Sequence, residues 1–133
     1  MKGNSMANSA KAKGSQAERD AAALLRAGGF PNADREFGAG RTDDVGDVRN
    51  VPRTVIEVKA EKAFNPAGWL AEAEAERINA GAEYGIVFAK RPGKAMKDGY
   101  FIMRIEDGIA LLREAIYSDN TLRKRLENLL QEI

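Results

Sequence analysis

Two short β-type runs near the middle of the chain, Val45 to Arg49 and Thr54 to Ala60, bracket a polar turn at Asn50 to Arg53. β-branched residues on either side of a turn containing Asn and Pro read as a hairpin. A lone hairpin is barely stable in water, so the remaining elements must cover it. Ser15 and Glu18 have capping-box spacing. Ala17, Ala21, Leu24 and Leu25 then recur at helical spacing until Gly28, Gly29 and Pro31 stop the run, predicting a first helix over about 15–28. Asn65 followed by Pro66 predicts the capped start of a helix over about 67–80, closed by Gly81. Tyr84 to Lys90 suits a buried strand, Arg91-Pro92-Gly93 a turn, and Tyr100 to Ile105 a further strand. A helix over about 107–116 is expected next. Ser118 or Asp119 would cap a last, docking helix in which Leu122, Leu126, Leu129, Leu130 and Ile133 share one face. The order α, β-hairpin, α, β, β, α, α shows no repeat and predicts an α/β fold, a small mixed β-sheet flanked by helices.

With 133 residues, 44% of them hydrophobic, the chain fits one domain, taken to span 14–133. Residues 1–13 are small and polar with Lys2, Lys11 and Lys13, which predicts a mobile basic N-terminal arm. The chain has no cysteine and no histidine. Disulfides, thiol nucleophiles, serine-histidine triads and Cys/His zinc sites are thereby excluded, leaving carboxylates, lysine, hydroxyls and oxygen-ligated metals for any catalysis. Twenty-one basic residues against 20 acidic ones give a net charge of +1, so affinity for a polyanion has to come from local patches. The start carries no apolar h-region, and no stretch approaches the roughly 18 apolar residues of a membrane span, so a cytoplasmic protein without membrane contact is expected.

Chemistry concentrates between Asp47 and Lys59. Side chains alternate along a strand, so Thr54, Ile56 and Val58 share one face while Val55, Glu57 and Lys59 share the other. With Asp47 on the preceding hairpin strand, its carboxylate can come alongside Glu57. Two carboxylates and a strand carbonyl, that of Val58, suit a hard cation such as Mg²⁺, with Mn²⁺ as a substitute. Such a cation lowers the pKa of a bound water and neutralises charge on a scissile phosphate, while Lys59 beside it can orient the nucleophile or stabilise the developing charge. Phosphodiester hydrolysis needs no histidine when these groups are present. Taken alone, Glu57 and Lys59 are better accounted for by an exposed strand with a cross-neighbour ion pair, since Glu-Val-Lys is common by chance; Asp47 at hairpin distance is what favours catalysis. Glu18 stands in register with Ala21, Ala22 and Leu25, so it points inward, where a second metal or a water would give its carboxylate a partner. Lys90, Arg91, Lys94 and Lys97 form a basic cluster able to track a DNA backbone or simply to be solvated. Trp69 reads as core, with a dimer or DNA surface as its other role. Glu72, Glu74, Glu76 and Glu83 make an acidic face, from which Glu72 or Glu76 could approach the metal.

Taken together, Lys13-Gly14-Ser15, Glu18-Arg19, Gly29-Phe30, Arg35, Gly38-Ala39-Gly40, Gly46-Asp47 and Ile56-Glu57-Val58-Lys59 resemble the archaeal-type Holliday junction resolvases and their phage relatives. These belong to the PD-(D/E)xK nuclease superfamily. The resemblance covers about residues 11–62 and extends loosely through Lys90. It implies a restriction-endonuclease-like core and a metal-dependent endonuclease of DNA recombination and repair, in the host cytoplasm if phage-encoded. It also implies that Glu18, Asp47, Glu57 and Lys59 are the active-site residues. Lys11, Lys13, Arg19, Arg35, Gly38, Gly40, Arg41, Lys90 and Arg91 would contact DNA. A resolvase should be a twofold homodimer acting on four-way junctions, because two symmetric strands are cut. Two other readings share these residues: a repair or restriction-like PD-(D/E)xK nuclease, and a junction-binding module without turnover. The sequence departs from the family pattern in two places. Gly46 replaces the superfamily's proline, and Ala39 replaces the serine of the usual Gly-Ser-Gly loop.

Overall fold

A computed structural model describes residues 2–36, 46–118 and 120–132, and the chain gathers into two compact units, Met1–Ile102 and Met103–Ile133. Gly38, Ala39, Gly40 and Arg41 lie outside the described residues.

The first unit opens with α1 (Lys2–Ala27), which starts 13 residues before the expected Ser15. Ala7, Ala10, Lys11, Ala12 and Lys13 are strong helix formers; their polar surroundings argue against burial and not against helicity. Ser15 is therefore internal to the helix, and its hydroxyl accepts a hydrogen bond from Arg35 at 3.3 Å instead of capping. The helix ends where predicted, with the amide of Phe30 bonded back to Leu25 and Gly29 at φ +114°. Strands β1 (Asp34–Arg35), β2 (Val48–Arg49) and β3 (Thr54–Lys59) follow, then α2 (Pro66–Ala80), β4 (Tyr84–Ala89), a 3-10 turn at Met96–Asp98 and β5 (Tyr100–Ile102). They form a five-stranded mixed sheet in the order β1-β2-β3-β4-β5, with only β3 and β4 parallel.

The hairpin forms as expected, with Val48 opposite Ile56 and left-handed residues Asn50 (φ 67°) and Arg53 (φ 65°) turning the chain. The Arg53 guanidinium closes on the Glu83 carboxylate and holds it below the usual carboxylate range. The crossover from β3 to β4 runs through α2, whose start is capped by Asn65 and whose end is Gly81 at φ 64°, both as read from the sequence. A crossover of this kind is what a parallel pair requires.

Register assigns the faces. Ile56 and Val58 pack with Ala17, Ala21 and Ala22 of α1. Glu57 is paired with Val87, and Lys59 with Ala89; Val87 and Ala89 pack against Trp69 and Ala73 of α2. The sheet is thus covered by α1 on one face and by α2 on the other. Trp69 is core, as expected, and its indole N–H donates to Glu61 at 3.2 Å.

The second unit consists of α3 (Ile105–Tyr117) and α4 (Asn120–Gln131). Of the leucine face expected in the last helix, Leu126, Leu129 and Leu130 lie on α4, while the Leu122 side chain and Ile133 lie outside what is described. No helix among the described residues is long and apolar enough to cross a membrane.

Candidate active site

Gly46 sets the geometry just before β2. It holds φ +98°, and a Cβ there would lie 2.9 Å from Val55 Cγ1 and 3.1 Å from the Ile56 carbonyl oxygen. Proline, fixed near φ −65°, cannot adopt this conformation, whereas glycine does so freely. The chain thereby presses Asp47 against β3. The Asp47 amide donates to the Ile56 carbonyl at 2.8 Å, and its Oδ2 accepts from the Val58 amide at 2.7 Å. β2 pairs with β3 only at Ile56, so one step further on the Asp47 carboxylate takes the place of a neighbouring strand. The N–H and C=O of one strand residue face the same edge, so the Val58 carbonyl is aimed to this side as well.

Glu57 points to the α2 face and is 7% exposed. Its Oε1 lies 3.4 Å from Lys59 Nζ, while its Oε2 is buried without a hydrogen-bond partner among the described residues. Buried polar atoms are nearly always satisfied, so an orphaned carboxylate oxygen marks a place where something positive or protic belongs. Lys59 Nζ donates to Glu72 Oε2 at 2.7 Å and lies 3.8 Å from Glu61 Oε1. Burial works against its charge, but the hydrogen bond to Glu72 and the negative charges of Glu57 and Glu72 outweigh it, and the lysine pKa is raised. Lys59 is a cation at neutral pH.

Glu18 reaches the same cleft from α1, although its Oε2 is engaged by Arg35 Nε at 2.8 Å across β1. The cleft has a volume of about 800 Å³, and Glu18, Asp47, Glu57, Val58 and Lys59 all line it, together with Lys13. The structure therefore brings the four expected active-site residues to one cavity. It does not make a three-acid cage: among the described residues no group of three or more acids is placed to hold a metal ion. Glu72 approaches Lys59, whereas Glu76 is buried within the core side of α2.

A second cleft of about 330 Å³ shares Lys13, Ala60, Glu61 and Lys62 with the first and adds Lys90 and Arg91. Of the expected DNA contacts, Lys13, Lys90 and Arg91 gather here. Lys11 and Arg19 line neither cleft, and Arg19 bonds to Gln16 at 3.0 Å. Arg35 is occupied by Glu18 and Ser15. Arg91 also lies over the ring of Tyr100, 5.8 Å from its centroid, and Tyr100 makes an edge contact with the exposed Phe64 at 5.6 Å. Tyr100 is in line with Lys59 across the sheet through Ala89. Sequence reasoning missed Lys62, Phe64 and Tyr100. Lys62 and Phe64 stand just after β3 in sequence, whereas Tyr100 joins them only because β5 folds beside β4.

Fold and site together define an α/β protein with a carboxylate-and-lysine cleft bordered by cations. No family model, curated protein or solved structure matches the chain.

Proposed function

We propose that the protein is a Mg²⁺-dependent endonuclease of the PD-(D/E)xK type, acting on branched DNA as a homodimeric Holliday junction resolvase. The observation that carries this reading is the buried Glu57 carboxylate with an orphaned oxygen, beside the Lys59 cation and lining one cleft together with Asp47. Asp47, Glu57 and the Val58 carbonyl would hold the cation. All three are hard oxygen donors, and Mg²⁺ commonly takes only one or two carboxylates while water and substrate phosphate complete its shell. When bound, Mg²⁺ supplies charge neutralisation at the scissile phosphate and acidifies a water. The Lys59 ammonium faces the charge that develops on the phosphate oxygens, with Glu57 and Glu72 fixing its position. Lys13, Lys62, Lys90 and Arg91 border the adjoining cleft and offer phosphate contacts that position the backbone without reading sequence. Phe64 and Tyr100 next to Arg91 add the aromatic surface that DNA-binding faces often mix with cations.

The test compares cleavage of a four-way junction, a fork and a plain duplex with and without Mg²⁺. Selective Mg²⁺-dependent cutting of the junction is expected; equal cutting of all three would reject the resolvase assignment in favour of a general nuclease. Asp47→Asn and Glu57→Gln are each expected to lower cleavage by at least about 100-fold, with junction binding in a mobility-shift assay retained. Unaltered cleavage in both would eliminate the site. The engagement of Glu18 by Arg35 favours one rival, a junction-binding module without turnover, which predicts binding but no cutting in Mg²⁺ or Mn²⁺.

A further inference from the structure

Two aromatic rings of the first unit stand out from the sheet face that carries Lys59. Phe64 is 62% exposed and Tyr100 49% exposed, and their rings meet edge to face at 5.6 Å. Phe64 also makes an edge contact with Trp69 at 5.5 Å. Trp69 is buried and bonded to Glu61, so the exposed pair rests on a fixed base instead of swinging freely. Contiguous apolar surface held in the open in this way marks a binding surface.

Register fixes where the rings lie. Lys59 pairs with Ala89, and Ala89 with Tyr100, so the three side chains stand in one row on the α2 face of the sheet. Two strand spacings of about 4.8 Å put Tyr100 roughly 10 Å from Lys59. That is about three nucleotides of a stacked DNA strand, and fewer of an extended one. Arg91 lies over the Tyr100 ring and lines the second cleft together with Lys62 and Lys90. The surface is therefore aromatic at its centre and cationic at its border, and those cations favour a polyanion over an apolar peptide. A flat, phosphate-bearing ligand satisfies both parts. In a duplex each base face is covered by its neighbours, so a paired base cannot lie on a ring. An unpaired base can, and it stacks with little regard for sequence.

We propose that Phe64 and Tyr100 form a stacking platform for an unpaired DNA base, with Arg91 on the adjoining phosphate, a few nucleotides from the phosphate held at Lys59. The position of that second phosphate rests on the nuclease reading; the stacking itself does not. Fluorescence anisotropy in Ca²⁺, which prevents cutting, compares three labelled four-way junctions. One carries two unpaired thymines at the branch point, one has two abasic nucleotides in their place, and one is fully paired. The wild type is expected to bind the thymine junction about ten-fold more tightly than the other two. Phe64→Ala combined with Tyr100→Ala is expected to bind all three alike, with an unchanged salt slope because no cation is removed. Exchanging the rings, Phe64→Tyr with Tyr100→Phe, is expected to keep the preference, which separates lost stacking from lost folding. Equal binding of the three junctions by the wild type overturns the proposal and leaves the rings to a protein partner. A preference that survives in the double alanine variant, or one lost on ring exchange, overturns it too. Cleavage of the same junctions in Mg²⁺ is read separately. No cutting with the thymine preference intact leaves the platform standing and rejects only the nuclease reading.

Discussion

Gly46 and Lys59 show how single positions control the cleft. At Gly46 an added methyl would meet the Val55 side chain and the Ile56 backbone, and φ +98° is strained for any residue with a Cβ. Gly46→Ala is therefore expected to cost about 1–3 kcal/mol, measured as a lowered urea midpoint. It should also reduce Mg²⁺-dependent cleavage, because the Asp47 carboxylate loses its place on the Val58 amide. A stable Gly46→Ala protein with full activity would show that this turn is not what sets Asp47. Lys59 yields a pH prediction. Its folded pKa is raised, by Glu72 and Glu57 against the opposing effect of burial, so its ion pairs stabilise the fold fully below the ordinary lysine value of 10.5. That stability is lost only as pH climbs above 10.5 through the higher folded value. Single-turnover cleavage should accordingly show no falling limb from lysine deprotonation between about pH 8 and 10. A fall in that range that disappears in Lys59→Arg would contradict the cationic role.

Elements differ in how far their residues announce them. The start and stop of α2 are written locally: the Asn65 side chain accepts from the Gly68 amide at 3.2 Å, Pro66 occupies the first turn and Gly81 ends it. Asn65→Ala is expected to destabilise the first unit by about 1 kcal/mol, read from denaturant unfolding, and to loosen Glu72 and with it Lys59. No change in stability would mean the cap bond is replaced by water at no cost. β3 is equally legible, because alternation alone puts Glu57 and Lys59 on one face, and the structure pairs them at 3.4 Å. By contrast β1 has two residues and exists only because Asp34 and Arg35 meet Arg49 and Val48, a pairing that no local pattern encodes. The start of α1 is less legible: its small polar residues suggest a mobile arm, yet alanine and lysine favour helix, and the helix begins at Lys2. The partners of the site's side chains were the least legible part. Glu18 to Arg35 spans 17 positions and Lys59 to Glu72 spans 13, and only the folded sheet and helices decide that a glutamate expected at a metal meets an arginine instead.

For the whole molecule the deciding quantity is where the charge sits, since the chain carries a net charge of only +1. A nearly neutral protein has no long-range attraction for DNA, so affinity depends on the few cations that a phosphate backbone can touch together. Lys13, Lys62, Lys90 and Arg91 line one cleft that continues into the carboxylate-and-lysine cleft; Lys97, although part of the same basic stretch of sequence, lines neither. If the cleft cations each neutralise one phosphate, every contact releases about one counterion. The slope of log affinity against log salt should then fall by about 0.9 for each of Lys13→Ala, Lys62→Ala, Lys90→Ala and Arg91→Ala. Fluorescence anisotropy of a labelled four-way junction, titrated at several salt concentrations in Ca²⁺ to prevent cutting, gives that slope directly. Lys97→Ala is the control, expected to leave it unchanged. Should Lys97→Ala flatten the slope as much as the cleft substitutions do, the DNA follows the exposed basic loop, and the path along the cleft is wrong.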